Sequence, residues 1–304
     1  VTCAEPFAQG LGYRTTPIDD LLAFHVVFGK TVPDISLNAV ANLGYADCRF
    51  VLPVYAGDTL TTTSTVIGLK QNSNGKTGTV YVRSTGTNQN AEIVIDYVRW
   101  VMVRKGNLDA PAPDVVVPDL PDRVDPASLA VDQVLNGGNF DPVLSGSNHF
   151  FSDYSVGEKI DHVDGVTIEE AEHMTATRLY QNTAKVHFNQ FSEKDGRFGR
   201  RLMYGGHVIS LARAISFNGL ANAFSIAAIN GGRHVAPCFA GDTVFAWSEV
   251  LEVANTNNPT IGALRLRTIA TKDRPCADFP AELEKGDEDG VVLDLDYWAL
   301  IPKR

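Results

Sequence analysis

The spacing of apolar residues predicts one buried helix in each half of the chain. In the second half, Val208, Leu211, Ala212 and Ile215 recur at i, i+3, i+4 and i+7, which places them on one face of a helix. In the first half, the Ile and Leu residues within positions 18–22 begin a corresponding helix. We expect both helices to pack against a core.

Three strand-like stretches follow each predicted helix. They lie at residues 59–67, 79–84 and 92–103 in the first half and at 243–251, 263–270 and 291–301 in the second. One long helix against one antiparallel sheet is a layered α+β arrangement. The pattern therefore predicts the same α+β unit twice.

The two halves also match residue by residue, which indicates a duplication. Ala-Gly-Asp-Thr occurs at residues 56–59 and again at 240–243, an offset of 184. The same offset relates Phe7 to Phe191, Gly12 to Gly196, Arg49 to Arg233, Pro53 to Pro237, Gly78 to Gly262 and Arg83 to Arg267. Near the end the offset becomes 200, and we interpret the extra residues, which include the acidic run 284–289, as a solvated loop.

The duplication divides the chain into three segments. They are a first unit at residues 1–105, a linker rich in proline and aspartate at 106–150, and a second unit at 151–304 that carries the candidate active site. Proline excludes much of the linker from a helix or a central strand, so we expect it to cross the surface in an extended form.

The second unit has an N-terminal stretch whose counterpart in the first unit would mostly precede Val1. We therefore expect an N-terminal piece to be missing from the first unit. The stretch begins with a strand-like segment at 158–163, and a helix follows from Thr167, where Thr167 and Glu170 are expected to form a capping box.

Composition and charge exclude several classes of protein. The 304 residues are 44% hydrophobic and carry a net charge of −10, and such a surface repels phosphate backbones, so nucleic-acid binding is not expected. No apolar run approaches the roughly 18 residues of a membrane span. Free thiols are typical of a reducing cytosol, and we expect a cytoplasmic protein. The four cysteines, at positions 3, 48, 238 and 276, lack metal-ligand spacing and are expected to be buried free thiols.

Polar residues suited to acid–base chemistry cluster at residues 177–189. Asn182 and His187 lie five residues apart beyond the predicted helix, so a loop could aim both side chains into one cleft. At an offset of 184, His187 falls on Cys3, so this histidine belongs to the second unit alone. The asymmetry favours one working site and one scaffold copy. A structural histidine in a solvated connection is the alternative interpretation.

Basic and glycine-rich segments follow. The basic one contains Arg197, Arg200 and Arg201. These guanidinium groups are interpreted either as a clamp for phosphate or carboxylate, or as a solvated turn. The segment that leads into the apolar helix is Tyr204, Gly205, Gly206 and His207. Glycines at a helix start leave backbone N–H groups free to stabilise an oxyanion, such as that of a thioester becoming an enolate.

These features together resemble the MaoC-like hydratase family of double hot-dog proteins. In that fold, each antiparallel sheet wraps around one central helix. The family motif has an Asp, a His five residues later, and a His-Gly pair that opens the central helix. Here His187 matches the motif histidine, Asn182 stands in place of the Asp, and Tyr204-Gly205 stands in place of His-Gly.

Long stretches are also similar to the mesaconyl-CoA hydratases within that family. They lie at residues 28–38, 161–173, 177–189 and 216–223. The resemblance implies two tandem hot-dog units and reversible addition of water to mesaconyl-C1-CoA, giving β-methylmalyl-CoA. It implies no metal or redox cofactor, because coenzyme A enters as part of the substrate. Hot-dog units pair, and we expect a homodimer or a higher homo-oligomer.

The resemblance further implies roles for individual residues. His187 is expected to be the acid/base, and Asn182 to orient water without acting as a base, while the Gly205 N–H binds the thioester oxygen. Substrate binding is expected from Tyr180, Gln181, Arg197, Arg200, Arg201, Tyr204, Gly206, His207 and Arg233. Other titratable groups on the preceding helix, at positions 170, 172 and 173, are expected to be structural.

Two other functions remain open from the sequence. A hot-dog thioesterase would use a carboxylate at the start of the central helix, where the first unit offers Asp19 and Asp20. A non-catalytic acyl-CoA binder would result if the Asp-to-Asn change had abolished catalysis. Release of free CoA would indicate the first, and ligand binding without turnover would indicate the second.

Overall fold

The structure is a computed structural model and describes residues 1–36, 39–281 and 290–304. The acidic run 284–289, which was interpreted as a solvated loop, lies outside these residues. The helices are α1 (Glu5–Leu11), α2 (Asp20–Lys30), α3 (Pro142–Ser145), α4 (Glu170–Leu179), α5 (Lys185–Phe188), α6 (Gln190–Glu193), α7 (Gly205–Ile215) and α8 (Phe217–Leu220). A π-helical turn at Val32–Ser36 follows α2, and 3₁₀ turns lie at Pro126–Ser128, Gly137–Asn139 and Phe151–Asp153.

The strands of the described residues form one antiparallel sheet that runs through both units. They are β1 (Ala39–Phe50), β2 (Thr61–Gln71), β3 (Thr77–Thr87), β4 (Ile93–Arg104), β5 (Lys159–Asp161), β6 (Val166–Thr167), β7 (Ser225–His234), β8 (Thr243–Asn255), β9 (Ile261–Lys272) and β10 (Val291–Pro302). Their order is β2-β3-β4-β1-β7-β10-β9-β8-β5, and β6 also pairs with β8. The two units meet where β1 pairs with β7, with Tyr45 opposite Gly232 and Cys48 opposite Ile229.

The six strands predicted after the two helices are confirmed, but β1 and β7 were not predicted. β7 contains Asn230, Gly231 and Gly232, and β1 is rich in alanine, so neither has the composition of a typical strand. Their pairing with each other and with β4 and β10 provides the hydrogen bonds that local propensity does not favour. Tertiary pairing, rather than local propensity, therefore determines that these two segments form strands.

The two central helices pack their apolar faces against this sheet, as the predicted α+β arrangement requires. The four residues predicted to be the buried face of α7 are all buried. In the first unit, α2 begins at Asp20, so Leu21 and Leu22 lie in its first turn as predicted, whereas Ile18 precedes the helix and the prediction for Ile18 is wrong. The buried face of α2 includes Leu21, Phe24, Val27 and Phe28.

The predicted capping box is wrong. Thr167 lies in β6, where its Oγ1 is 2.9 Å from Oγ1 of Thr243, and α4 begins three residues later at Glu170. Glu169 occupies the N-cap position and its side chain makes no capping hydrogen bond. Thr167, which local sequence assigns to the helix, instead pairs with Thr243 of β8 as part of β6.

The segment at 106–150 packs over the strands in which the two units meet. The backbone N–H of Val124 donates to Oδ1 of Asn230 at 2.8 Å, and Nε1 of Trp298 donates to the Val124 carbonyl at 3.0 Å. Apolar residues of the segment are buried with α1, namely Leu129, Val131, Leu135 and Phe140. The segment is therefore part of a second hydrophobic cluster, and the boundaries at 105 and 150 stay predictions.

The cysteines are free thiols. Cys48, Cys238 and Cys276 are buried, as expected, whereas Cys3 is exposed, so the prediction of burial is wrong for that residue. Burial raises the pKa of the Cys238 thiol to about 12 and that of Cys276 to about 11, which keeps both protonated and unreactive at neutral pH. Within the described ranges, none of the helices is long and apolar enough to cross a bilayer.

A close contact joins α2 of the first unit to the end of α4 in the second. A Cβ atom on Gly29 would collide with the backbone carbonyl of Tyr180 and would approach the backbone nitrogen of Asn182 to 3.3 Å. Because the obstacle is backbone, a side chain at position 29 would have to push the segment aside. Glycine here lets the first unit support the segment that holds Asn182.

We predict that Gly29→Ala lowers the free energy of unfolding by about 1–3 kcal/mol, the usual cost of overpacking. Chemical denaturation at equilibrium measures this change. Gly10→Ala is the matched control, because a Cβ atom on Gly10 in α1 meets nothing within 4 Å. Equal stability of the two variants would contradict the proposed contact.

Candidate active site

The N-terminus of α7 is closely covered by aromatic rings. An α-helix leaves its first N–H groups without intrahelical acceptors, and those of Gly205 and Gly206 are the first two of α7. The imidazole of His234 occupies the space of a side chain on Gly205, and the ring of Tyr204 occupies that space on Gly206. A side chain at either position would have to displace one of these rings, and the helix end presents two amides and a positive dipole end.

His187 lies beside this helix end, and its tautomer is fixed by one hydrogen bond. Nδ1 is 2.8 Å from the carbonyl oxygen of Leu202. Since a carbonyl only accepts, Nδ1 carries the proton, and the lone pair of Nε2 is available as a base. Burial lowers the pKa of His187, which outweighs the opposing effect of the Leu202 hydrogen bond. The ring centroid is 5.7 Å from that of Tyr204.

His173 positions the start of α7. Its Nε2 accepts the backbone N–H of Tyr204 at 2.9 Å, so the proton is on Nδ1. Burial, with the nearby His187 and His207, lowers the pKa of His173 to about 3, which keeps it neutral. The sequence assigned His173 a structural role, and this contact gives it a positioning role toward the N-cap residue.

His234 and Tyr45 belong to the site and were not predicted. Tyr45 on β1 and His234 on β7 come from different units, and the Tyr45 hydroxyl is 3.4 Å from Nε2 of His234. Burial, with a smaller contribution from His187, lowers the pKa of His234 to about 4. The sequence did contain a signal, because at an offset of 184 His234 falls on Phe50, an asymmetry like that of His187.

Asn182 lies next to the site and takes part in a turn. It is 1% exposed, and its Oδ1 accepts the N–H of Ala184 at 3.4 Å just before α5. In the part of the chain that the structure describes, no hydrogen bond joins Asn182 to His187. The preceding Tyr180 packs between the rings of His25 and Tyr204, at centroid distances of 4.8 and 6.5 Å.

A cleft of about 530 Å³ opens beside Asn182, between the two units. Gln181 lines it with a left-handed backbone (φ 58°). The other lining residues are Gly29, Lys30, Pro33 and Asp34 of the first unit and Arg178, Thr183 and Phe188 of the second. Lys30 and Arg178 bring two positive charges to the cleft and Asp34 brings one negative charge.

The structure separates the predicted substrate-binding arginines. Arg201 is paired with Glu170 and contacts the sulfur of Met174, which indicates a structural role. Arg200 is exposed and lies over the ring of Phe239 at 3.9 Å. Arg197 is also exposed, over Phe198, at 5.0 Å.

Two further residues of the predicted binding set lie in different environments. His207 is buried within α7, and among the described residues its Nε2 has no hydrogen-bond partner. Its ring centroid is 5.7 Å from that of His173, so it belongs to the histidine cluster behind the helix start. Arg233 is exposed on β7, one residue before His234.

The carboxylates considered for a thioesterase lie elsewhere. Asp19 caps α2, because its Oδ1 accepts the N–H groups of Leu21 and Leu22. Asp20 accepts hydrogen bonds from Oγ of Ser225 at 3.0 Å and from the N–H of Ile226 at 2.8 Å, and it lines a separate cavity of about 450 Å³. Burial raises the pKa of Asp20 to about 7.

Two central helices on one antiparallel sheet, with a neutral histidine beside a glycine-rich helix start, define a MaoC-like double hot-dog protein of the hydratase and dehydratase class. A solved structure described as a MaoC domain protein dehydratase from Chloroflexus aurantiacus matches with a TM-score of 0.96 and 64% identity, covering 100% of this chain and 87% of that one. A Mycobacterium tuberculosis protein described as having a double hotdog fold matches with a TM-score of 0.70 and 23% identity, covering 99% and 87% of the two chains, and shows the fold alone.

The chain belongs to the mesaconyl-CoA hydratase family, whose sequence profile matches residues 5–278. It is 64% identical to a β-methylmalyl-CoA dehydratase from Chloroflexus aurantiacus, over 100% of this chain and 87% of the relative. It is 58% identical to a mesaconyl-CoA hydratase from Cereibacter sphaeroides, over 100% of this chain and 88% of the relative. The predicted family and fold are confirmed.

The buried histidines predict that acid destabilises the fold. Burial lowers the pKa of His25 and His173 to about 3 and that of His162 and His234 to about 4. Unfolded histidine titrates near about 6.5, so below that pH the unfolded state binds protons that the folded state does not. Stability present above about pH 6.5 is lost as the pH falls, and we expect a lower Tm at about pH 5 than at about pH 7.5.

Asp20 has the opposite effect on the pH dependence of stability. Its raised pKa means that, between about pH 4 and pH 7, the folded state holds a proton that the unfolded state lacks. Asp20 therefore partly offsets the histidines as the pH falls. The variant Asp20→Asn should lose more Tm on acidification than the wild type, measured by thermal unfolding. A Tm independent of pH over this range would contradict the neutral histidines.

Proposed function

We propose that this chain is a hydro-lyase that catalyses the reversible hydration of mesaconyl-C1-CoA to β-methylmalyl-CoA. The observation that carries the proposal is the geometry of His187, whose Nδ1 is held by the Leu202 carbonyl so that Nε2 is a free base beside the amides of α7. The names of two relatives that match the whole chain support the choice of substrate.

In the hydration direction, Nε2 of His187 takes a proton from water while the water oxygen bonds to the β-carbon. The electron pair of the carbon–carbon double bond moves through the α-carbon onto the thioester oxygen. The N–H of Gly205, at the positive end of α7, stabilises this enolate. The imidazolium then returns the proton to the α-carbon, and dehydration follows the same steps in reverse.

Asn182 has a supporting role in this mechanism. An amide has no titratable proton in the neutral range, so Asn182 can orient water but cannot be a second base. His187 then both removes and returns the proton. The low pKa of buried His187 suits this role, because the imidazole is neutral and able to accept a proton at physiological pH.

We place the coenzyme A portion of the substrate in the cleft between the units. Its phosphates need positive charge, and Lys30 and Arg178 supply it there, in excess of the one negative charge of Asp34. Exposed Arg200 is a further candidate for a phosphate contact. The acid–base and amide groups are supplied by the protein itself, so the proposal includes no metal or redox cofactor. We further propose that the enzyme is cytoplasmic and homo-oligomeric.

A thioesterase is a second candidate, and Asp20 is the observation that favours it. A carboxyl group with a pKa near 7 beside a cavity is suited to acid–base work. That reaction would release free CoA, which a thiol reagent detects. Loss of this release in Asp20→Asn, with hydration absent in the wild type, would favour the thioesterase over the hydratase.

We predict that His187→Ala lowers kcat by about 10²–10⁴-fold, the usual effect of removing a general acid/base. Loss of the enoyl-thioester absorbance of mesaconyl-C1-CoA measures the rate. His149→Ala is the matched control, because His149 is an exposed histidine on the segment between the units. Full activity of His187→Ala would overturn the assigned base.

Arg200 and Arg201 should respond differently to substitution. Arg200→Ala should raise KM by about three- to tenfold at nearly unchanged kcat, because one exposed phosphate contact is lost. Arg201→Ala should lower Tm instead, since the Arg201 side chain is 11% exposed and is paired with Glu170. Steady-state kinetics and thermal unfolding separate the two effects. An unchanged KM in Arg200→Ala would assign Arg200 to a solvated turn.

A further inference from the structure

Arg99 is a buried arginine on β4 that is held by neutral groups. It is 1% exposed. Its Nη2 donates to Oγ1 of Thr31 at 2.8 Å and its Nη1 donates to Oγ of Ser36 at 3.1 Å. The guanidinium lies over the ring of Phe28, 4.4 Å from the centroid. Across the described residues, Nε of Arg99 lacks a hydrogen-bond partner and no ion pair joins Arg99 to a carboxylate.

Other arginines of the same sheet are neutralised by aspartates. Arg83 on β3 pairs with Asp47 and Asp96, and Arg267 on β9 pairs with Asp294 at 2.7 Å. A buried charge without a counter-charge is costly. Neutral hydroxyls and an aromatic ring compensate this cost only in part, so the site of Arg99 is suited to an anion.

Asn42 provides a second unsatisfied polar group on the sheet face that carries Arg99. In β1, Asn42 lies opposite Val101 and Tyr45 lies opposite Arg99. Asn42 shares a face with its cross-strand partner Val101, and Val101 shares that face with Arg99, two residues away on β4. Asn42 and Arg99 therefore lie on the same face of the sheet. Within the described ranges, both Oδ1 and Nδ2 of Asn42 are buried without a hydrogen-bond partner. Nδ2 and Nε are donors that a carboxylate would satisfy.

Two residues next to Arg99, namely Tyr45 and Phe28, connect it to the candidate active site. Tyr45, opposite Arg99, reaches His234, and the His234 ring covers Gly205. Phe28, beneath the guanidinium, lies 5.6 Å from the ring of Tyr204. Neighbouring strands are about 4.8 Å apart, so Arg99 on β4 is about 10 Å from β7. An arginine side chain and a four-carbon diacid together span that separation.

We propose that Arg99, with Asn42, binds the free carboxylate at the distal end of a four-carbon dicarboxylic acyl thioester and so determines specificity for such substrates. The inference rests on the proposed function and deepens it. Arg99 is a specificity-determining residue, whereas His187 and Gly205 act on the reacting atoms. The carboxylate supplies the counter-charge of the guanidinium, and its oxygens accept from Nε and from Nδ2 of Asn42.

Binding of two stable thioethers tests this without requiring catalysis. S-(3-carboxypropyl)-CoA carries the distal carboxylate, and S-butyl-CoA carries a methyl group in its place. We expect calorimetry to show that the wild type binds S-(3-carboxypropyl)-CoA at least about tenfold more tightly than S-butyl-CoA. Arg99→Met should abolish the preference, and Arg99→Lys should keep part of it, because a lysine retains the charge but not the planar fork.

Arg83→Met is the matched control, since Arg83 lies in the same sheet but is already neutralised by aspartates. It should retain the wild-type preference, and Asn42→Leu should reduce it. Thermal unfolding verifies that each variant is folded. An equal loss of affinity for both thioethers in Arg99→Met would overturn the proposal and leave Arg99 as a group that stabilises the end of α2.

The test of Arg99 and the test of the hydratase activity can fail independently of each other. A wild type that prefers the carboxylate through Arg99 but does not hydrate mesaconyl-C1-CoA would retain the inference and reject the hydratase. A wild type that hydrates the substrate but has no carboxylate preference would retain the hydratase and reject the inference. If Arg99→Met does not fold, persistence of the full preference in both Arg99→Lys and Asn42→Leu rejects the inference.

Discussion

The antiparallel pairing of β1 with β7 is the interaction on which the rest of the structure depends. It joins two sheets into one and places Tyr45 of the first unit beside His234 of the second. It also brings α2 and α7 together, so that Nε2 of His25 lies 2.7 Å from Oγ of Ser210. The candidate site is therefore built by both units at their junction, although its proposed base belongs to the second.

Duplication followed by divergence explains why the two halves play different roles. At the positions of His187 and His234, the first unit has Cys3 and Phe50, so it lacks the imidazoles that define the site. It contributes supporting groups instead, such as Gly29 against the segment that ends α4. Burial keeps the histidines around α7 neutral, which preserves a basic lone pair on His187 and fixes His173 as an acceptor for the helix start.

Sequence patterning predicted the repeated α+β unit, the buried face of α7 and the six strands that follow the two central helices. It did not predict β1 and β7, because glycine, asparagine and alanine form those strands only through tertiary pairing. For the site, His187, Asn182 and Gly205 could be predicted from the sequence because they lie near one another along the chain. Tyr45, His234 and Arg99 lie on strands that are far apart along the chain but adjacent in the sheet, and the register that aligns them is not encoded by local sequence.

The measurement that tests this account most directly is the reaction of the purified protein with mesaconyl-C1-CoA. Absorbance follows the enoyl thioester, and mass spectrometry identifies the product. The account predicts loss of the absorbance together with a CoA ester heavier by one water. Release of free CoA, or an unchanged substrate, would contradict the assignment of this site as a hydratase.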